Sequence, residues 1–220
     1  TKDMHPVLMH WATVDSTTDG KGRVSDYTLE ELRRLDASFH FEPLRGTGVR
    51  VPTLVEFLDE FVPVKDLLFF FDFKDCLTYL LSMKCIARYN IANRYCLGSV
   101  LRDCNSMIME TRVSAQVPVC TDVIQTLKIL ARYHLGLLFT YNFTHDMVGF
   151  VLHRTNAFVW SGEFVRAIHD SGRRVVVSGF GDELNKESRL RECVQYGVDY
   201  IMTDRPDLLQ RIMKEERERQ

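Results

Sequence analysis

Three polar side chains in this 220-residue sequence stand where chemistry is plausible: His10, Asp72 and Lys74. In the run Leu67 to Lys74 alternate side chains face opposite ways, so Phe70, Asp72 and Lys74 share one face, and Phe71 and Phe73 share the other. So apolar a run is expected to be buried on both faces, and an Asp beside a Lys there must be paired, metal-bound or functional. A structural ion pair and a functional pair are evenly matched on periodicity alone. His10 closes a second strand-length run, Pro6 to His10, on the same face as Leu8. A lone histidine at a strand end is more often a satisfied core residue. A shared rim with Asp72 and Lys74, at the C-terminal ends of parallel strands, raises the odds of a functional role.

The elements that must position these residues alternate along the chain. Strand-length runs at Pro6 to His10, Leu67 to Lys74, Cys96 to Leu101, Leu135 to Tyr141, Val175 to Ser178 and Val198 to Thr203 are separated by segments of helical period. This alternation predicts an α/β chain of βα units around a parallel sheet. Thr28 with Glu31 and Thr53 with Glu56 fit the capping box that starts a helix. Glu163 to Ser171 reads as a helix ended by Gly172, and Asp204 is placed to cap a last helix from Arg205. The charged run Lys214 to Gln220 reads as its solvated end. Thr13 to Asp26, rich in Asp, Ser, Thr and Gly, reads as a loop.

Composition narrows the partners. With 45% apolar and 26% charged residues the chain can bury a real core, and no repeat, linker or composition shift divides it. A net charge of −2 offers no basic field for nucleic acid and no polybasic face for acidic lipids, so a small molecule is the expected partner. The apolar stretch Leu127 to Tyr141 carries Lys128, Arg132 and His134 and is too polar for a membrane span; it reads as core helix followed by core strand. The six cysteines form no C-x-x-C pair and read as mostly buried, reduced thiols, which leans towards a cytoplasmic setting.

Four blocks in order then carry a family resemblance. The run His10-Trp11-Ala12-Thr13-Val14-Asp15-Ser16-Thr17-Thr18-Asp19-Gly20-Lys21-Gly22, continuing through Val24, Asp26, Thr28, Glu31-Leu32 and Leu35-Asp36-Ala37, resembles H-D-x-x-L-x-R-T-T-x-G-x-G-x-V-x-D-x-T-x-x-E-L-x-x-L-D-A. Val51-Pro52-Thr53-Leu54 resembles I-P-T-L, Phe71-Asp72-Phe73-Lys74 resembles I-E-x-K, and Gly197-Val198-Asp199 through Met202-Thr203-Asp204-Arg205-Pro206 resembles G-V-D-G-I-I-T-D-R-P. These are blocks of the glycerophosphodiester phosphodiesterases.

The resemblance implies one TIM-barrel domain over residues 1–220 that hydrolyses deacylated or lyso-phospholipids to glycerol phosphate and an alcohol, as part of lipid metabolism. It implies a divalent cation, Mg²⁺ or Ca²⁺, and two histidines that exchange protons with the attacking hydroxyl and the leaving alkoxide. On it, His10 is one of those histidines and Asp72 a metal ligand. Lys74 would hold a phosphate oxygen or the neighbouring carboxylate.

The family's H-R-G and E-x-D blocks precede a T-K-D segment, and this chain opens on Thr1-Lys2-Asp3. The expectation is therefore a (β/α)₈ barrel lacking its first two strands, cut from a longer protein. Roughly forty further residues would bring it to about the 250 usual for a complete barrel. Within the retained part, Trp11 stands where the family has Asp, Ser16 where it has Arg, and Ser178-Gly179-Phe180-Gly181 where it has W-T-V-N. These departures support the alternative, a catalytically inactive barrel that serves for binding or structure.

Overall fold

Two threonine side chains set the first helices. The computed structural model describes residues 1–91, 93–111, 117–153 and 160–219. In it α1 (Leu29–Leu32) starts after Thr28 and α2 (Leu54–Phe61) after Thr53. The hydroxyls accept from the Glu31 and Glu56 N–H groups at 3.2 and 3.1 Å, and each glutamate accepts from its threonine N–H at 2.8 Å. Both expected capping boxes thus form, and each satisfies donors that a helix start leaves free.

Contacts divide the chain into two compact units, Thr1–Cys96 with Ser106–Val117, and Leu97–Asn105 with Pro118–Gln220. In the first unit, β1 (Phe69–Asp72) leads into α3 (Cys76–Ile86), and the chain returns to enter β2 (Tyr95–Gly98). Phe69, Phe71 and Phe73 are buried, whereas Phe70 is half-buried and Asp72 exposed. Period-two alternation holds, but burial on both faces does not: the face carrying Asp72 opens onto a cavity. Asp75 ends the strand direction by accepting from the Thr78 N–H at 2.7 Å, which caps α3.

Pro6 to His10 is not a strand. Its ladder stops at one antiparallel bridge, Val7 to Thr53, held by Leu8 N–H to Pro52 O and Leu54 N–H to Pro6 O, both 2.9 Å. Both partner segments carry a proline, which has no N–H to extend the pairing. The expected loop 13–26 folds back on itself through a bridge between Thr13 and Arg23, and Gly22 takes φ +103° at its turn. Beneath it Val14, Leu32 and Val51 form a small core.

In the second unit the strands add in chain order and in parallel. Leu97 bridges to Val119, and Cys120 bridges to Met147. The strand β3 (Met147–Leu152) pairs with β4 (Arg174–Gly179) from Met147–Arg174 to Leu152–Gly179, and β4 pairs with β5 (Tyr200–Met202). The helix α4 (Arg102–Thr111) starts in this unit and from Ser106 belongs to the first, and α5 (Val123–His134), α6 (Gly162–Asp170), α7 (Glu187–Gln195) and α8 (Pro206–Glu218) follow. Val148, Phe150, Val175 and Val177 from the sheet meet Phe164 and Ile168 of α6 in one core. The helix 162–170 ends as expected, with Gly172 at φ +71° and Arg173 N–H bonded to Ile168 O.

Two further expectations are corrected in this unit. Leu135 to Tyr141 is not a strand: Gly136 at φ +67° terminates α5, residues Leu138–Thr140 form one 3₁₀ turn, and Phe139 is 84% exposed. The strand lies later, at Met147–Leu152. Nor does Asp204 cap α8. Its carboxylate accepts from Asn185 Nδ2 at 3.0 Å, and the helix opens on Pro206, whose position needs no donor satisfied. The charged end of α8 is solvated on one side only. Lys214 is exposed, but Glu215 and Glu216 reach Arg191 of α7 at 2.5 and 3.4 Å; Gln220 lies outside the described residues. Among the described residues no disulfide joins any of the six cysteines, and Cys96, Cys104, Cys120 and Cys193 are buried. Among the described residues no helix is long and apolar enough to cross a membrane.

Candidate active site

The exposed face of β1 lines a cavity of about 830 Å³ within the first unit. His10, Asp72 and Lys74 all border it, so the fold brings the three sequence-selected residues to one space. Asp72 and Lys74 arrive by the pleat of β1 and its continuation, His10 by the extended segment that bridges to Thr53. Lys74 Nζ lies 2.5 Å from Asp72 Oδ2, and both side chains are about one-third exposed, at 32% and 34%. His10 is exposed, with the Trp11 ring edge-on at 4.6 Å. Where the family pattern has a carboxylate next to this histidine, an aromatic wall stands instead.

The remaining lining divides by chemistry. Phe70, Leu77 and Leu81 provide apolar wall, while Arg23 and Ser25 add polar groups. Arg23 went unnoticed in the sequence, where it sits between Gly22 and Val24 with nothing in its spacing to mark it. Only its bridge to Thr13 delivers it to the cavity, and its guanidinium makes no ion pair among the described residues. The site therefore holds an exposed imidazole able to exchange protons, an ammonium and a guanidinium suited to phosphate oxygens, and an apolar side.

A divalent cation fits these residues poorly. Such ions take six or more oxygen ligands, whereas of the two carboxylates lining the cavity Asp72 is paired with Lys74 and Asp75 accepts from the Thr78 N–H and hydroxyl. Among the described residues no group of three or more His, Cys, Asp or Glu side chains could hold a metal.

In the second unit the block Ser178–Gly181 ends β4. Gly179 has no room for a side chain, because a Cβ there would lie 2.8 Å from the Leu184 nitrogen. Phe180 is 62% exposed and packs edge-on to the His153 ring at 5.4 Å. His145, by contrast, is a core histidine, 6% exposed and bonded to Asn105 Oδ1 and Thr144 Oγ1 at 2.8 and 2.9 Å.

Comparison with known proteins agrees with this architecture. Residues 1–208 match the model of the glycerophosphoryl diester phosphodiesterase family. A glycerophosphodiester phosphodiesterase from Caldanaerobacter subterraneus subsp. tengcongensis is 30% identical over 218 residues, which covers 95% of this chain and 80% of that protein. Glycerophosphodiester phosphodiesterase 1 of Rattus norvegicus is 45% identical over 75 residues, 34% of this chain and 22% of that one.

Among solved structures, the glycerophosphoryl diester phosphodiesterase domain of a Mycobacterium tuberculosis protein superimposes with a TM-score of 0.74 at 21% identity, covering 98% of this chain and 85% of that one. An Oleispira antarctica phosphodiesterase in complex with the product sn-glycerol-3-phosphate gives 0.73 at 18% identity, covering 97% and 81%. At these identities the likeness is one of fold, a TIM-barrel-like α/β architecture, as the order of parallel strands and helices already indicated. With the family model spanning nearly the whole length, the chain belongs to the glycerophosphoryl diester phosphodiesterase family.

Proposed function

We propose that the protein is a phosphoric diester hydrolase that cleaves glycerophosphodiesters to an alcohol and a phosphomonoester: glycerol phosphate from a deacylated phospholipid, its acylated form from a lyso-phospholipid. The observation that carries this reading is the convergence of His10, Asp72 and Lys74 on one cavity, within a chain of this family. His10 exchanges the proton that must leave the attacking hydroxyl or reach the leaving alkoxide. Lys74 and Arg23 set positive charge against the phosphate oxygens, and Asp72 holds Lys74 in place. The apolar wall of Phe70, Leu77 and Leu81 gives an acyl chain a surface to lie on, so one site accommodates both substrate classes.

The test is release of choline by the full chain, read with choline oxidase, from glycerophosphocholine, which leaves sn-glycerol 3-phosphate, and from lysophosphatidylcholine, which leaves lysophosphatidic acid. Turnover is expected with the unaltered protein. In His10→Ala it should fall by about a hundredfold or more, the usual contribution of a positioned acid or base. Equal turnover in that variant, or none in the unaltered protein, would count against the reading.

A further inference from the structure

Between Asp36 and Arg50 the first unit carries a loop with its polar groups turned inward. The Asp36 carboxylate accepts from the Ser38 and Gly46 N–H groups at 2.9 and 2.8 Å, and Ala37 N–H bonds to Val49 O at 2.8 Å, so the ends of the loop meet. Those bonds hold the Asp36 carboxyl below its ordinary range, with the Ser38 hydroxyl as the leading cause. Ser38 is 3% exposed, and its hydroxyl is shared between Asp36 and the Leu44 carbonyl. Arg45 Nε donates to Phe39 O at 2.6 Å, Glu42–Leu44 forms a 3₁₀ turn, and Gly46 and Gly48 take φ of +75° and +74°. This is a closed, internally bonded Ω-loop rather than a loose connection.

Its outer surface is the inverse of an ordinary loop. Every residue from Phe39 to Arg50 is exposed, including Phe41 at 59%, Leu44 at 45%, Val49 at 41% and Phe39 at 38%. Four large apolar side chains held in solvent by a hydrogen-bonded frame mark a surface that meets an apolar phase. Arginines stand among them: the Arg45 guanidinium lies 5.0 Å from the Phe39 ring centroid and pairs with Glu42, the only acidic residue from Phe39 to Arg50, at 2.7 Å, so the exposed Arg50 carries the charge this segment leaves over. Exposed aromatic and aliphatic side chains on one loop with an arginine that its one carboxylate does not neutralise complement a lipid leaflet, which offers hydrocarbon beneath a layer of phosphate.

We infer that the loop Phe39–Arg50 is a membrane-surface anchor. It seats Phe41 and Leu44 below the headgroups of a bilayer and sets Arg50 against the lipid phosphates. Since the whole chain carries a net charge of −2, apolar insertion rather than a basic field does most of the holding, and high salt should weaken attachment only partly. Attachment of this kind does not depend on what the cavity hydrolyses.

The experiment is sedimentation of the full chain with large unilamellar vesicles of phosphatidylcholine, with and without a minority of phosphatidylserine. The protein is expected to pellet with both, more completely with the anionic lipid. The double variant Phe41→Asp with Leu44→Asp should need roughly tenfold more lipid, or greater, for half-maximal pelleting. Leu127→Asp, an exposed apolar position in the second unit, should bind as the unaltered protein does. A Phe41→Trp variant reports directly, through a blue shift of its added indole fluorescence on mixing with vesicles. Failure of the unaltered protein to pellet, equal pelleting of the double variant, or no blue shift in Phe41→Trp beyond that of the unaltered protein would overturn the inference. So would a double variant whose only change is loss of self-association in lipid-free sedimentation velocity, since a second copy of the chain would then be what covers the loop.

Discussion

Lys74 Nζ lies 2.5 Å from Asp72 Oδ2, two residues back on the same face of the strand, and the pair borders the cavity that also receives His10. With about one-third of each side chain in solvent, the ion pair contributes at most about 1 kcal/mol to stability. Structural and functional roles therefore separate. Lys74→Met should leave the melting temperature almost unchanged while lowering kcat/KM for glycerophosphodiesters by roughly ten- to a hundredfold, because a hydrogen bond to a charged group is worth about 1.5–3 kcal/mol. Steady-state kinetics beside a thermal melt check this; a large drop in melting temperature would make the pair structural.

Gly179 ends β4 against the start of the next turn, and an added Cβ would stand 2.8 Å from the Leu184 nitrogen and 3.1 Å from its Cβ. The obstacle includes backbone, which cannot swing aside. Gly179→Ala is expected to cost about 1–3 kcal/mol by overpacking. Urea unfolding should show the loss as a lower midpoint with an unchanged slope.

Glu183 is buried, its side chain 6% exposed, and accepts from Lys186 Nζ at 2.5 Å with Arg189 at 3.6 Å. The hydrogen bond from Lys186 is the main reason its carboxyl sits below the usual range. Below the ordinary glutamate value the unfolded chain binds a proton that the folded chain refuses. The contribution is thus fully present above about pH 4.3 and is lost as pH falls through the lower folded value. Glu183→Gln should flatten the decline in stability between about pH 5 and pH 3, as measured by denaturant unfolding at each pH.

The thiols should fall into two classes. Cys76 and Cys85 are half-buried, whereas Cys96, Cys104, Cys120 and Cys193 are buried, and burial pushes Cys193 up to about 12. Alkylation followed by mass mapping should label Cys76 and Cys85 first and leave Cys193 intact until the protein unfolds. Early labelling of Cys193 would contradict the packing of α7 onto its core.

Much of this protein was legible from local chemistry. Capping boxes at Thr28 and Thr53 need only residues three apart, and both form. The βα alternation, the helix closed by Gly172 and the period-two face of Asp72 and Lys74 likewise depend on neighbours along the chain. The family blocks are of the same kind, since they are strings of adjacent residues.

What needed the tertiary structure was every property set by partners distant in sequence. Leu135 to Tyr141 has the composition of a strand, yet Gly136 ends a helix there and among the described residues no strand pairs with the run, whereas Met147–Leu152 gains its ladder from β4. Asp204 has the residue type of a helix cap, but Asn185 claims its carboxylate. Pro6–His10 has strand composition and finds a single bridge, because the prolines on both sides lack the donors to continue. Asp72 was expected in a doubly buried strand and lies instead at a cavity, with Arg23 brought to the same space by a fold-back that no spacing announced. Sequence by itself determined which residues could form helices, strands and a proton-transferring site. Only the folded chain decided which of their polar groups found partners and which were left facing the cavity, because hydrogen bonds and burial are settled between residues far apart along the chain.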